Sequence, residues 1–136
     1  MKHLFYMYKE ETYMKFVAGK YYIGDPCYAV KDENWGNLID DTGCFGIEDS
    51  ECFENGCFTY NGSQCFTKGT AYGDGCYTDN YGREYGVDAG LIGIMPIEAC
   101  DGDYIEGGNV IMFEEDFYVS ASGGVFNFGN IEIDTN

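Results

Sequence analysis

Lys68 and Arg83 are the only cations in a long acidic stretch. From residue 32 to residue 136 they face 21 carboxylates, a net of −19, whereas residues 1–31 carry Lys2, Lys9, Lys15, Lys20 and Lys31 against three acids. Arg83 follows residues 70–78 (TAYGDGCYT), where glycines alternate with aromatics. Glycines let backbone amides approach a ligand, aromatic rings stack on a flat partner, and arginine forks onto phosphate or carboxylate. These residue types point to capture of a small nucleotide-like ligand. Lys20, Lys68 and Arg83 are its candidate phosphate contacts and Tyr28, Trp35, Tyr72 and Tyr77 its stacking surfaces, with Asp74 in the same glycine-rich turn. The competing reading makes Tyr72, Tyr77 and Tyr85 ordinary strand residues and pairs Arg83 with Glu84 or Asp79.

Catalytic chemistry has weaker material. His3 is the only histidine, and Cys27 follows Asp25 and Pro26 without a base in reach of the pattern. No P-loop, G-x-G-x-x-G or H-E-x-x-H pattern occurs. No enzyme activity and no cofactor are expected. Asp101, Asp103 and Glu106, and separately Asp74 with Asp79, place oxygen ligands in glycine-rich loops, so a calcium-binding module is a further alternative, although neither set has EF-hand spacing. The seven cysteines form no C-x-x-C pair, which argues against structural zinc.

A formal charge of −17 disfavours direct contact with nucleic acid or anionic membrane and favours basic proteins. The alternative to ligand capture is therefore an acidic decoy that occupies the basic face of a nucleic-acid-handling protein. An odd cysteine count fits free thiols in a reducing compartment. No apolar run approaches the roughly 18 residues of a membrane span. The apolar start of the chain is cut short by Lys9, Glu10 and Glu11. These features predict a cytoplasmic protein.

The elements that must position these residues are short. Twenty glycines, two prolines and brief apolar runs predict one mainly β domain over residues 1–136. The expected architecture is an antiparallel β-sandwich or rolled barrel-like sheet with one short helix, residues 1–12 being frayed or an edge strand. Strands are expected at 13–17 and 20–24 around a turn at Ala18 and Gly19, resuming at 27–30 after Asp25 and Pro26. Asp32 is a helix N-cap for 33–39. Asn61 and Gly62 predict a type I′ hairpin over 57–67, pairing Tyr60 with Ser63 and Phe58 with Cys65. A second hairpin joins 76–78 to 83–85. Residues 91–95 read as a central strand buried on both faces. Strands at 109–113, 117–120, 125–128 and 131–133 complete a meander, whose last strand is a place for homo-oligomer formation if it lies at an edge.

Three segments carry a resemblance: residues 22–28 (YIGDPCY), 72–77 (YGDGCY) and 85–96 (YGVDAGLIGIMP), with 126–134 (FNFGNIEID) beside them. Together they resemble a set of small uncharacterised proteins of tailed phages and bacterial genomes. The resemblance implies a setting rather than a mechanism. Small phage accessory proteins counter host defence by sequestering a nucleotide signal or by plugging a host protein.

Overall fold

Among the described residues, alternating apolar residues separated by glycine-containing turns produce eleven strands. The computed structural model describes residues 14–42, 56–101 and 107–136. In chain order they form β1 (Met14–Phe16), β2 (Gly19–Gly24), a 3-10 turn (Pro26–Tyr28), α1 (Asp32–Thr42), β3 (Cys57–Tyr60), β4 (Ser63–Gly69), β5 (Gly75–Thr78), β6 (Glu84–Val87) and β7 (Leu91–Pro96). A second 3-10 turn (Ile97–Ala99) precedes β8 (Asn109–Phe113), β9 (Phe117–Ser122), β10 (Val125–Phe128) and β11 (Ile131–Asp134). The fold is mainly β and sandwich-like, as its composition implies.

A five-stranded sheet of order β3-β4-β7-β2-β8 faces a four-stranded sheet of order β1-β9-β10-β11. Every pairing is antiparallel. The main core lies between the sheets: Tyr21, Ile23, Phe66, Ile92 and Ile94 from the first meet Phe117, Val119, Phe126, Phe128 and Ile133 from the second. Neighbouring strand residues face the other way. Tyr22, Cys65 and Met95 pack with Phe58 against Ala29, Val30 and Leu38, so α1 and the turn before it cover the outer face of the larger sheet. β7 is consequently buried along its whole length. A half-polar strand at this position would strand its polar groups away from water.

The hairpin β5–β6 closes one side of the sandwich. Gly86 N–H donates to the Gly107 carbonyl beside β8, and Asp79 forms a β-bridge with Ile133 of β11. Tyr85 and Val87 point from this hairpin into the main core. On the opposite side Gln64 Nε2 donates to the Lys15 carbonyl of β1 at 3.1 Å. The two sheets thus join into a flattened roll.

Several expectations need correction. β1 and β2 are not a hairpin: β1 pairs with β9 and β2 with β7 and β8, so the chain crosses between sheets at Val17 and Ala18. Residues 27–30 do not resume a strand, because Asp25 caps the 3-10 turn through the Cys27 N–H and Pro26 starts it. β8 leaves the expected meander and lies beside β2 in the larger sheet. The helix spans Asp32–Thr42 rather than 33–39, and the Lys31 carbonyl accepts from the Trp35 N–H, which makes Lys31 the capping position. β11 does lie at a sheet edge, but that edge is occupied: Asn80 N–H donates to the Glu132 carbonyl at 3.0 Å and the Asn80 side chain accepts from the Glu132 N–H at 2.8 Å. Residues 1–12 lie outside the described residues. The Asn61–Gly62 turn has both residues at positive φ, 49° and 79°, and the register is the expected one.

Candidate functional site

The sandwich has two dissimilar ends. One gathers the end of β2, the starts of β7 and β8, and the loops 70–74 and 88–90. Here Gly24 pairs with Gly93, and a methyl group on Gly93 or Gly108 would stand 2.3 Å from the carbonyl oxygen of Phe66 or Ile23. Asp25 is fully buried at this end. Its Oδ2 accepts from the N–H groups of Asp88 (2.9 Å) and Ala89 (2.6 Å), and its Oδ1 from Cys27 N–H (3.0 Å). One carboxylate therefore ties the YIGDPCY segment to the YGVDAGLIG segment. Thr70 N–H donates to the Gly90 carbonyl at 3.0 Å and brings the YGDGCY loop alongside. The three segments of the resemblance meet at this end. Burial, then the neighbouring Asp25, pushes the Cys27 thiol up to about 12, so it supplies no thiolate at neutral pH.

Arg83 sits at the far end of the hairpin, beyond the Thr78–Glu84 pair, whereas Tyr72 and Asp74 precede its first pair, Gly75–Val87. Four strand residues separate them, about 13 Å. The Arg83 guanidinium is committed: Nε donates to Asp79 Oδ2 at 2.8 Å, and the group lies over the Tyr81 ring, 5.0 Å from its centroid. Asp79 Oδ2 also accepts from the buried Tyr85 hydroxyl at 2.7 Å, and Oδ1 from the N–H groups of Tyr81 and Arg83. Burial raises the Asp79 carboxyl, but these donors outweigh it and hold it below its ordinary value. Burial, then Asp79, raises the Tyr85 phenol.

Around the same end lies an open groove of about 1070 Å³. The β8–β9 connection (Glu114, Glu115, Asp116) forms one wall, and Gly129 and Asn130 of the β10–β11 turn line it from the other. Stacked rings of Phe113 and Phe117, 3.8 Å apart, form part of its lining. Met112 and Tyr118, 58% and 60% exposed, stand beside it. Asn130 Nδ2 donates to the Tyr81 hydroxyl, joining the groove to the Arg83–Tyr81 stack. Asp116 has internal work: Oδ1 accepts from Ala18 N–H at 2.8 Å and Oδ2 faces Lys15 at 3.8 Å. Glu114 and Glu115 are exposed. Apolar rings beside unpaired acids suit an occupant that is both cationic and apolar.

The eight candidate residues from the sequence do not converge. Lys20 is exposed at the start of β2, beside Met112 of β8. Lys68 is half-buried on β4, opposite Ile92. Tyr28, in the first 3-10 turn, and Trp35, on α1, pack against the outer core, and Tyr28 bonds Asp88. Tyr72 is 77% exposed and Asp74 exposed, while the Tyr77 hydroxyl donates to the Gly73 carbonyl at 2.9 Å. Arg83 and Lys20 lie toward the acidic end, Tyr28, Lys68, Tyr72 and Asp74 toward the glycine-rich end.

The calcium alternative loses two anchors. Asp79 spends its four acceptor positions as described. Asp101 accepts from Lys31 N–H, the Asn34 amide and the Tyr60 hydroxyl at Oδ2, and from the Asn61 amide at Oδ1. Burial raises the Asp101 carboxyl, and those donors bring it below its ordinary value, while burial and Asp101 push Tyr60 up to about 12. Asp103 and Glu106 lie outside the described residues, as do His3, Cys44 and Cys52. Among the described residues no cluster of three or more His, Cys, Asp or Glu is placed to hold a metal, and the five described cysteines are free thiols. No helix among them is long and apolar enough to cross a membrane.

The groove residues escaped the sequence reading. Their signal was the run 113–118 (FEEDFY), three acids between aromatics. Nothing in that run shows that Gly129 and Asn130 fold back to meet it. No protein-family model matches the chain, and neither a curated protein nor a solved structure matches it.

Proposed function

We propose that this protein is a non-enzymatic binding protein whose partner is a basic protein surface, engaged at the acidic end. One observation carries the reading: the groove presents Glu114 and Glu115 beside exposed apolar side chains, while of the cations around it Arg83 and Lys15 are already held by Asp79 and Asp116 and Lys20 lies on β2 opposite Met112. The same observation weighs against ligand capture through Arg83, whose guanidinium would have to leave a buried carboxylate to reach a phosphate. In the phage setting that the resemblance implies, such binding would cover the nucleic-acid-binding face of a host protein.

Fluorescence anisotropy with a labelled arginine-rich peptide tests this. Affinity should fall steeply between about 50 and about 200 mM salt, as for any contact made through exposed charge. The double variant Glu114→Lys/Glu115→Lys should bind at least about tenfold more weakly, roughly 1.4 kcal/mol. Equal binding by the double variant overturns the reading. So does a rise in Tm with cyclic di- or trinucleotides, because saturation at about 100 times the Kd adds roughly 2.7 kcal/mol to the stability of a protein that captures them.

A further inference from the structure

β8 is the terminal strand of the larger sheet, and among the described residues it is covered only at its start. Beside it, Gly86 N–H reaches the Gly107 carbonyl, and the Asn109 amide donates to the Glu84 carbonyl at 2.8 Å. Past Asn109 the hairpin turns away toward the other sheet. Asp79 bridges Ile133, and the Asn80 amide donates to the Asn130 carbonyl at 3.0 Å. The two sides of the roll therefore part along a seam. Among the described residues no backbone group pairs with the outer edge of β8 from Val110 to Phe113. Val110 and Met112 are 45% and 58% exposed, and the seam opens at Met112 and Phe113 into the acidic groove.

An exposed strand edge is a template for another strand, and folded proteins ordinarily blunt it with a charge or a proline on the edge itself. Residues 110–113 (VIMF) carry neither. The charges stand at the ends of the seam instead: Glu84 at its head, Glu114 and Glu115 at its foot, and Glu132 exposed across it on β11. Lys20 is the exposed cation nearby, but it lies on β2, so an added strand on the far side of β8 would be about 10 Å from it.

The geometry points to strand addition: an extended segment of the basic partner, alternating apolar residues with lysine or arginine, pairs with β8 along Val110–Phe113 and places a cationic residue among Glu114 and Glu115. The free edge is about four residues, or 13 Å, long. Main-chain hydrogen bonds supply adhesion to any extended chain, and the carboxylates at the ends select a basic one. This rests on the reading of the acidic end as a docking site for a basic partner and specifies how the partner is held.

The probe is a synthetic peptide of about eight residues alternating valine and lysine, long enough for a typical strand. Two counterparts are N-methylated on the odd or the even residues, which removes backbone donors from one edge or the other and leaves every charge in place. Amide hydrogen exchange of the full chain is the readout. The unmodified peptide should slow exchange within Val110–Phe113 by about tenfold or more at saturation, the signature of new ladder bonds, and one N-methylated form should lose both binding and protection. Equal binding by all three peptides, or binding of the unmodified one without protection at β8, overturns strand addition while the basic-partner reading stands. Binding of the arginine-rich peptide with none by the valine–lysine peptide has the same meaning. Failure of both basic probes removes the docking site itself, and strand addition with it.

Discussion

The glycine-rich end and the acidic end use carboxylates in opposite ways. At the first, Asp25 is wholly buried and spends its oxygens on three backbone N–H groups. At the second, Glu114 and Glu115 face water beside an open groove. The segments with the most distinctive sequence therefore lie where the chain is most tightly self-satisfied. Gly93 and Gly108 admit no methyl group there, since one would stand 2.3 Å from a backbone carbonyl oxygen. Distinctive spelling at that end is accounted for by close backbone approach, whereas the groove is built from ordinary acids and aromatics. A segment that is hard to substitute is as readily a hinge pin of the fold as a binding site.

That contrast is broken most directly at Asp25. Asp25→Ala leaves the N–H groups of Cys27, Asp88 and Ala89 without their acceptor, and each unsatisfied buried donor costs about 1–3 kcal/mol. A loss of about 3 kcal/mol and a fall in Tm of about 10 °C are expected in thermal unfolding. Gly108→Ala should approach that loss through overpacking of about 1–3 kcal/mol, because the Ile23 carbonyl cannot yield without disturbing the β2–β8 pairing. If Asp25→Ala unfolds like the parent but alters binding of either basic peptide, the assignment of roles to the two ends is reversed.

Asp79 sharpens the contrast because it belongs to the acidic end yet behaves like Asp25. Replacing it with asparagine turns an amide donor or a neutral oxygen toward the Arg83 guanidinium and the Tyr85 hydroxyl. About 2 kcal/mol of stability should go, most of it through Tyr85, since the Arg83 side chain is 36% exposed and its share is screened by water. The pH dependence fixes the sign. The folded carboxyl lies below its ordinary 3.8, so the unfolded chain binds the proton more tightly and the contribution is complete above that value. It is lost as pH falls through the folded value. Parallel denaturant titrations of parent and Asp79→Asn from pH 6 downward, to about pH 2, should show a constant gap that closes only below about pH 4. A gap that widens toward acid would mean that the carboxyl is raised in the fold, and the clamp would be misassigned.

What the residues made legible was local. The Asn61–Gly62 turn sets its own φ angles and so its own register, and the unbroken apolar run of β7 admits only a strand buried on both faces. Partner choice was not legible. Nothing within 14–24 (MKFVAGKYYIG) distinguishes a hairpin from two strands in different sheets, because the deciding contacts come from β9 and β8, far along the chain. Arg83 was legible as far as its pairing with Asp79, four residues away. That the same carboxylate would also hold Tyr85, and that Asn80 would cover the edge of β11, depended on where the whole hairpin docks. The FEEDFY run gave one wall of the groove, and the other came from a turn whose sequence, Gly129–Asn130, states only that the chain reverses there.

The smallest effect is expected at the groove, and its smallness is what the comparison requires. Glu114→Lys/Glu115→Lys replaces two exposed side chains that bear no internal contact comparable to those of Asp25 or Asp79. Each substitution exchanges a negative charge for a positive one, so the pair takes the formal charge from −17 to −13 and eases self-repulsion. Stability in denaturant should therefore change by less than about 0.5 kcal/mol, in the stabilising direction if at all. Asp116→Ala is the control within the same loop: it removes the acceptor of the Ala18 N–H and the exposed Lys15 pair, so it should cost about 1 kcal/mol. A double variant less stable than Asp116→Ala would show that Glu114 and Glu115 hold the loop together, and the division between a self-satisfied end and an end open to a partner would not survive it.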